Sequence, residues 1–301
     1  KDHSNMKILV FDIGGTSIKH GICIDNQLGE VKETPTNAQL GGAHILEVVT
    51  SIIKEESDYD AIGISTAGQV NASEGFIIYA NQNIPGYTGT QIRKELESLF
   101  HVPVMVENDV NAAAIGEAIY SAGKEYDSFL MLTYGTGVGG AVVQDRKVFH
   151  GSSFSASEFG AMITHSDVRL LGNDYFDGCY EKYASTTGLV KMAMEYDPSL
   201  DNGRKIFSHL DDPNVMEILD KWVDEIMLGL ATLTHIYNPS CIILGGGIMV
   251  QPLIKEMINE KKNRFIMPSF AHVNLIPASL GNSAGLLGAN FLASEYKESL
   301  K

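Results

Sequence analysis

Three short segments of the chain combine glycine with residues that can bind phosphate or move a proton: DIGGT at 12–16, ENDVNAA at 107–113 and LTYGTGVGG at 132–140. Glycine has no Cβ, so backbone N–H groups beside it can approach an anion closely, and threonine hydroxyls add further donors. A carboxylate can hold Mg²⁺ through water or take the proton of an attacking hydroxyl. Together these residue types predict phosphoryl transfer from a nucleotide to a hydroxyl acceptor.

The first and third segments each lie between two apolar, strand-like runs, which predicts a β-hairpin with a glycine turn. Asp12 stands at the end of the first strand, where we expect its carboxylate to hold Mg²⁺ through water. The alternative is a plain hairpin with Asp12 as a capping residue. The nucleotide-binding residues expected from the two turns are Gly14, Gly15, Thr16, Thr133, Gly135, Thr136 and Gly137.

Two better-known phosphate-binding loops do not fit this sequence. The pattern GxxxxGK[ST] is absent, and although Gly135, Gly137 and Gly140 satisfy GxGxxG, a strand pattern follows them where a dinucleotide-binding turn needs a helix. The VAIK, HRD and DFG segments of protein kinases are also absent from the sequence. A second phosphate-binding hairpin is the interpretation that is left.

The middle segment follows a short predicted strand at residues 102–106 and precedes a helical pattern at 112–119. Ligands of open α/β sheets bind at the carboxyl ends of the strands, which is where this segment lies. We therefore expect Asp109 to be the catalytic base and Asn108 to donate a hydrogen bond to a sugar hydroxyl. The alternative is that Asp109 or Asn111 only caps the helix.

These segments resemble those of the ROK family, which includes repressors and sugar kinases within the actin and hexokinase-like ATPase superfamily. The resemblance extends to STAG at 65–68, NIPGY at 83–87, EFG at 158–160, GCYE at 178–181 and ILGGG at 243–247. It implies a two-lobed α/β fold, ribonuclease H-like, with the active-site cleft between the lobes. The sugar-binding residues that it implies are Gly68, Asn83, Asn108, Asp109, Glu158 and Glu181, and the adenosine turn is Gly245, Gly246 and Gly247.

One departure from the family pattern concerns zinc. Many ROK proteins hold a structural zinc with one histidine and three cysteines. In this chain Ala161 replaces the histidine, and Gly172 and Asp174 replace two cysteines, so that only Cys179 is left. We expect no structural zinc, and we expect Cys179 to be a small buried residue.

The same departure bears on the substrate. In relatives that keep it, the missing histidine lies near the anomeric oxygen of the sugar, so Ala161 leaves room for a substituent there. The resemblance then favours ATP-dependent phosphorylation of the 6-hydroxyl of a hexose, namely the glucosyl unit of a β-glucoside such as cellobiose. N-acetylmannosamine kinase and glucokinase are the alternatives, and ATP and Mg²⁺ are the implied cofactors.

The composition agrees with an enzyme acting on small molecules. The chain has 301 residues, 44% of them hydrophobic, and a net charge of −15, which argues against a nucleic-acid partner. Its three cysteines form no disulfide framework, and the sequence contains neither a signal peptide nor a membrane-spanning run. We expect a cytoplasmic location and no membrane partner. The resemblance also implies that the chain forms a homodimer.

The predicted domains are an N-terminal α/β lobe at residues 6–120 and a C-terminal α/β lobe at 121–301, whose last helix, near 283–298, packs on the first lobe in the family. Residues 1–5 are set aside. A sugar-responsive repressor is disfavoured because Asp12 lies too close to the start of the sequence for a preceding DNA-binding domain. A non-catalytic sugar sensor is the other alternative, although it would not explain Asp109 beside two phosphate hairpins.

Overall fold

The computed structural model of the chain describes residues 5–301; residues 1–4 of the segment set aside above lie outside it. Its strands are β1 Lys7–Ile13, β2 Ser17–Ile24, β3 Gln27–Leu28, β4 Lys32–Pro35, β5 Ala61–Thr66, β6 Gln69–Asn71, β7 Phe76–Tyr79, β8 Val104–Asn108, β9 Phe129–Tyr134, β10 Val138–Gln144, β11 Lys147–Val148, β12 Cys241–Gly245 and β13 Asn274–Pro277. Its α-helices are α1 Gly42–Lys54, α2 Ile92–Phe100, α3 Asp109–Tyr120, α4 Ser166–Leu171, α5 Tyr180–Ala184, α6 Thr186–Tyr196, α7 Gly203–Phe207, α8 Pro213–Tyr237, α9 Pro252–Phe265 and α10 Ala284–Ser299. The α/β class predicted from the sequence is confirmed.

The chain forms two compact units. Unit 1 comprises the described residues up to Lys124 together with Arg146–Ala156 and Asn282–Lys301, and unit 2 comprises Glu125–Asp145 and Ser157–Gly281. The predicted division into residues 6–120 and 121–301 stays a prediction. Unit 1 differs from the predicted N-terminal lobe in that it also takes two segments from later in the chain.

The main sheet of unit 1 has the strand order β3-β2-β1-β5-β8, with β4 paired to β2. Strand β1 is antiparallel to β2 and parallel to β5, which is in turn parallel to β8. The apolar run of β1 is continuous because both faces of this strand are buried. Leu9 and Phe11 belong to one core cluster, whereas Ile8 and Val10 pack with Leu286 and other residues of α10 on the opposite face.

Helix α10 packs closely against α3 at two glycine residues, Gly288 and Gly116. A Cβ atom at Gly288 would overlap the carbonyl oxygen of Ala112 in α3, and one at Gly116 of α3 would overlap the carbonyl of Ala284. The two helix backbones are therefore in direct contact at two points. This contact fixes the last helix of the chain against α3.

Unit 2 repeats the arrangement of a hairpin beside a parallel strand. Strand β9 is antiparallel to β10 and parallel to β12, which continues to β13. The long helix α8 begins at Pro213, after Asp212 whose Oδ1 accepts a hydrogen bond from the Asn214 N–H at 2.8 Å, and it ends before Asn238 in the left-handed conformation.

No helix among residues 5–301 is long and apolar enough to cross a membrane.

We expect Gly288→Ala to lower the free energy of unfolding by about 1–3 kcal/mol, because the new methyl group overlaps the α3 backbone and outweighs the gain in helix propensity. Thermal and denaturant unfolding would measure the loss. Gly203→Ala is the matched control, since nothing lies within 4 Å of its Cβ position. Equal melting temperatures for the two variants would contradict the close helix contact.

Candidate active site

The carboxyl ends of β1, β5 and β8 align Asp12, Ser65 and Glu107 across the sheet of unit 1. Ser65 donates a hydrogen bond from Oγ to Asp12 Oδ1 at 2.9 Å. Burial raises the pKa of the Asp12 carboxyl, and the Ser65 hydrogen bond and the charge of Lys19 oppose that rise. A Cβ at Gly285 of α10 would lie 3.1 Å from Asp12 Oδ2, so a glycine keeps this oxygen uncrowded.

The first glycine turn is partly closed by its own hydrogen bonds. The Gly14 N–H donates to the Ser17 carbonyl at 3.0 Å, and the Thr36 hydroxyl donates to the Gly14 carbonyl at 2.7 Å. Gly15 and Thr16 are exposed, and no atom lies within 4 Å of the Cβ position of Gly15. The open side of the turn is therefore at Gly15 and Thr16.

Helix α3 begins at Asp109, and its N-terminal cap is Asn108. Asn108 Oδ1 accepts hydrogen bonds from the Val110 N–H at 3.0 Å and from the Asn111 N–H at 3.2 Å. The alternative that Asp109 or Asn111 caps the helix is therefore wrong. Asn108 has the extended backbone that a cap requires, and its side-chain oxygen reaches two free N–H groups of the first turn.

Asp109 occupies the first turn of α3 with its side chain partly open to solvent. Its Oδ1 accepts from the Val110 N–H at 2.9 Å. Desolvation by the surrounding protein, followed by the negative charge of Asp12, raises the pKa of the Asp109 carboxyl from 3.8 to about 7. Such a carboxyl can gain or release a proton near neutral pH.

The structure brings Gly68 to Asn108 but leaves Asn83 on an exposed turn. Asn108 Nδ2 donates to the Gly68 carbonyl at 2.8 Å, and Gly68 has a φ of 101°, which favours glycine. Asn83 is exposed, and its backbone N–H donates to Asn81 Oδ1. The same turn leads to buried Tyr87, whose hydroxyl is 2.6 Å from the Thr66 hydroxyl at the end of β5.

In unit 2, Glu181 packs against the second glycine turn. Its Oε1 accepts from the Val138 N–H at 3.4 Å, and a Cβ at Gly137 would lie 2.9 Å from the same oxygen. Glu158 is accessible to solvent, yet its carboxyl is flanked by protein. This partial desolvation and then the charge of Glu181 raise the pKa of Glu158.

The second turn and the predicted adenosine turn lie side by side. The Gly135 N–H donates to the Gly137 carbonyl at 3.0 Å, and Thr133 is in register with Gly245. Gly246 has a φ of 105°, and a Cβ there would overlap the carbonyl oxygen of Tyr134. Only glycine fits this position, and Gly247 then opens a short 3₁₀ turn.

An open cavity of about 430 Å³ adjoins the glycine turn of β12. Gly247 is the one predicted site residue in its lining. The other lining residues are Thr186, Gly203, Arg204, Phe207, Ser208, Ile248 and Gln251. Sequence reasoning missed them because they belong to no motif and come from α6, α7 and the turn that follows Gly247.

Cys179 is buried, as predicted, and its Sγ is 3.3 Å from the Ala161 carbonyl and 3.2 Å from the Tyr175 carbonyl. Within residues 5–301, no group of three or more His, Cys, Asp or Glu side chains is placed to hold a metal ion. The expected absence of zinc stays a prediction.

A family model described as "ROK family" matches residues 8–296 of the chain. A β-glucoside kinase of Listeria monocytogenes is 32% identical, with 97% of this chain and 99% of the relative covered. A solved N-acetylmannosamine kinase candidate from the same species is 26% identical, with a TM-score of 0.85 over 98% of this chain and 99% of that one. A ROK glucokinase of Streptomyces griseus, solved with glucose and AMPPNP, is 28% identical, with a TM-score of 0.80 over 96% and 99% of the two chains. The predicted actin/hexokinase-like α/β fold is thereby confirmed.

We expect Asn108→Ala to lower the free energy of unfolding by about 1 kcal/mol, because two N–H groups of α3 lose their cap. Denaturant unfolding would measure this change. Asn83→Ala removes an exposed asparagine side chain and should change stability by less than about 0.5 kcal/mol. If both variants were equally stable, the capping role of Asn108 would be refuted.

We expect Asp109→Asn to raise the melting temperature at pH values near 8 and to lose this advantage as the pH falls towards about 4. The folded-state pKa of Asp109, about 7, lies above its unfolded value. The wild type therefore loses stability as the pH rises through this window, whereas asparagine does not ionise. Thermal unfolding across the window is the measurement, and an advantage that does not vary with pH would contradict the raised pKa.

Proposed function

The chain belongs to the ROK family, and from this membership we propose that it is a carbohydrate kinase that transfers the γ-phosphoryl group of ATP to the 6-hydroxyl of a hexose. The observation that carries the proposal is Asp109, a carboxyl with a pKa of about 7 at the start of α3, where the strands of unit 1 end. A general base works best when its pKa is near the operating pH.

The proposed reaction is a single displacement. Asp109 accepts the proton of the sugar 6-hydroxyl while that oxygen attacks the γ-phosphorus of ATP, and the bond from the γ-phosphorus to the bridging oxygen breaks to release ADP. The neighbouring Asp12 raises the proton affinity of Asp109, and the N-terminus of α3 stabilises the ionised form. A base of this kind contributes about 10²–10⁴ in rate.

We propose that the sugar is held by Gly68, Asn83, Asn108, Glu158 and Glu181, which match family positions. Carboxylates suit this task because each can accept hydrogen bonds from two sugar hydroxyls. The Asn108 amide carries a second N–H besides the one given to the Gly68 carbonyl. Its capping bonds would hold that donor in one orientation.

We propose that ATP is bound by the two glycine turns, with its adenosine in the cavity beside Gly247. With a net charge of −15, the chain must attract the triphosphate by local donors rather than by its overall field. Exposed Gly15 and Thr16 and the Arg204 side chain are such donors.

Asp12 fits a Mg²⁺ ion held through water, because its Oδ2 remains uncrowded beside Gly285. Bound Mg²⁺ would neutralise negative charge on the phosphate oxygens.

For the sugar itself we propose the glucosyl unit of a β-glucoside. The 32% identity to a β-glucoside kinase supports this choice, as does exposed Ala161 in the place of a larger histidine. N-acetylmannosamine and glucose are the alternatives, and each is supported by the name of a structural relative. A non-catalytic sensor is less well supported, because a sensor has no need of the raised pKa of Asp109.

The experiment is coupled ADP release with Mg-ATP across cellobiose, an aryl β-glucoside, glucose, N-acetylmannosamine and N-acetylglucosamine. We expect turnover with the β-glucosides, a phosphate on the 6-oxygen by NMR, and a loss of about 10²–10⁴ in kcat for Asp109→Asn. Asp58→Asn is the matched control, because Asp58 is exposed and its φ of 57° is one that asparagine tolerates.

Sugar-dependent turnover of the wild type that Asp109→Asn leaves intact would remove Asp109 as the base. Turnover only with N-acetylmannosamine or glucose would replace the proposed substrate. If no sugar were phosphorylated although sugars bound, the sensor would be favoured, and a DNA mobility shift would then separate it from a repressor.

A further inference from the structure

A partly buried pair formed by Glu107 and His150 lies at the end of β8, two residues before the proposed base in the chain. Glu107, the residue before Asn108, is only 2% exposed, and its Oε2 is 2.7 Å from Nε2 of His150. The partner comes from Arg146–Ala156, the segment that returns to unit 1 from later in the chain. Neither residue belongs to the site proposed above.

The other carboxylate oxygen of Glu107 holds the start of α3. Glu107 Oε1 accepts from the Asn108 N–H at 2.8 Å and from Asn111 Nδ2 at 3.2 Å. Asp109 lies between these two asparagines, and Asn108 also caps the helix. The Glu107 carboxylate therefore holds the backbone N–H of Asn108 and the side chain of Asn111, which stand on either side of Asp109 in the chain.

His150 is held independently of Glu107. The carbonyl of His150 accepts from the Ala156 N–H at 3.0 Å, and its ring lies 5.6 Å from that of Phe154. The Gln69 side chain donates to the Ser153 carbonyl at 2.9 Å and so ties this segment to β6. The imidazole is thus an anchored donor aimed at Glu107.

We propose that His150 is a positioning residue which, through Glu107, holds Asn108 and Asp109 in the geometry needed for phosphoryl transfer. This inference rests on the proposed kinase function. Without the imidazole, Glu107 keeps only its hydrogen bonds with Asn108 and Asn111. Its carboxylate can then rotate, and the two asparagines shift with it. Displacement of a reacting group by about 1 Å can cost about 10²-fold in rate.

Electrostatics agree with the geometry. The hydrogen bond that His150 donates to Glu107 raises the pKa of His150, and partial burial opposes that rise. The raised pKa favours the protonated imidazole, which makes a shorter and stronger hydrogen bond to a carboxylate than the neutral ring does. Glu107 is buried, so an uncompensated carboxylate there is unfavourable.

The test compares His150→Ala, His150→Gln, Glu107→Gln and the double variant of His150→Ala with Glu107→Gln, in the sugar-dependent ADP assay. We expect His150→Ala to lower kcat between about 10- and 100-fold and to leave the KM for ATP within about twofold, because the ATP contacts lie on other elements. His150→Gln can still donate to Glu107 and should recover most of the loss. Added imidazole should restore part of the turnover of His150→Ala, since His150 is 29% exposed.

The double variant should be no slower than the slower single variant, because both changes remove the same interaction between His150 and Glu107. His272→Ala, an exposed histidine of unit 2, is the control and should keep wild-type kcat. Melting temperatures are measured for all variants.

An unchanged kcat in His150→Ala would overturn the inference. So would a slow His150→Ala that neither glutamine nor imidazole rescues and whose KM for ATP rises in parallel, since that pattern indicates general loss of structure. An inactive wild type would overturn the kinase proposal and this inference with it, whereas an active wild type with a fully active His150→Ala would overturn the inference alone.

Discussion

The register of three parallel strands is the constraint on which the candidate site depends. Because β1, β5 and β8 run in the same direction and are paired without a shift, Asp12, Ser65 and Glu107 stand in one row and their neighbours in the next. A slip of one residue in β8 would turn Glu107 out of the interior and point Asp109 elsewhere. The alternation along β8 makes such a slip costly, because Val104 and Val106 are buried in the core of unit 1 whereas Met105 and Asn108 are only partly buried.

This register also sets the electrostatics. It brings the carboxyls of Asp12 and Asp109 to one edge of the sheet, where the negative charge of Asp12 disfavours ionisation of Asp109. Glu107 in the same row has a different environment, because it is paired with His150 and accepts two further hydrogen bonds. Three nearby carboxyls thus stand in different environments: Glu107 is buried and hydrogen-bonded through both oxygens, Asp109 has a raised pKa, and Asp12 accepts a hydrogen bond from Ser65 on one oxygen while its other oxygen faces Gly285.

The sequence carried enough information to predict the edge of the sheet, since a strand followed by a carboxylate and a helix has few other interpretations. It could not assign the cap of α3, because Asn108, Asp109 and Asn111 are all good capping residues and only backbone geometry separates them. The strand predicted at 102–106 is β8 at Val104–Asn108, because Pro103 has no N–H for the ladder. The link from Glu107 to His150 spans 43 residues and His150 belongs to no motif, and the residues that line the cavity beside Gly247 are similarly dispersed.

The contact of α10 with α3 has a consequence for how the chain is made. Unit 1 needs Asn282–Lys301, which the ribosome adds only after all of unit 2 has been synthesised. The cluster between β1 and α10 therefore stays incomplete, with one face of β1 uncovered, while unit 2 can fold as it emerges. The glycine-mediated contact then closes over sequence separations of more than a hundred residues, which makes completion of unit 1 a late and slow step.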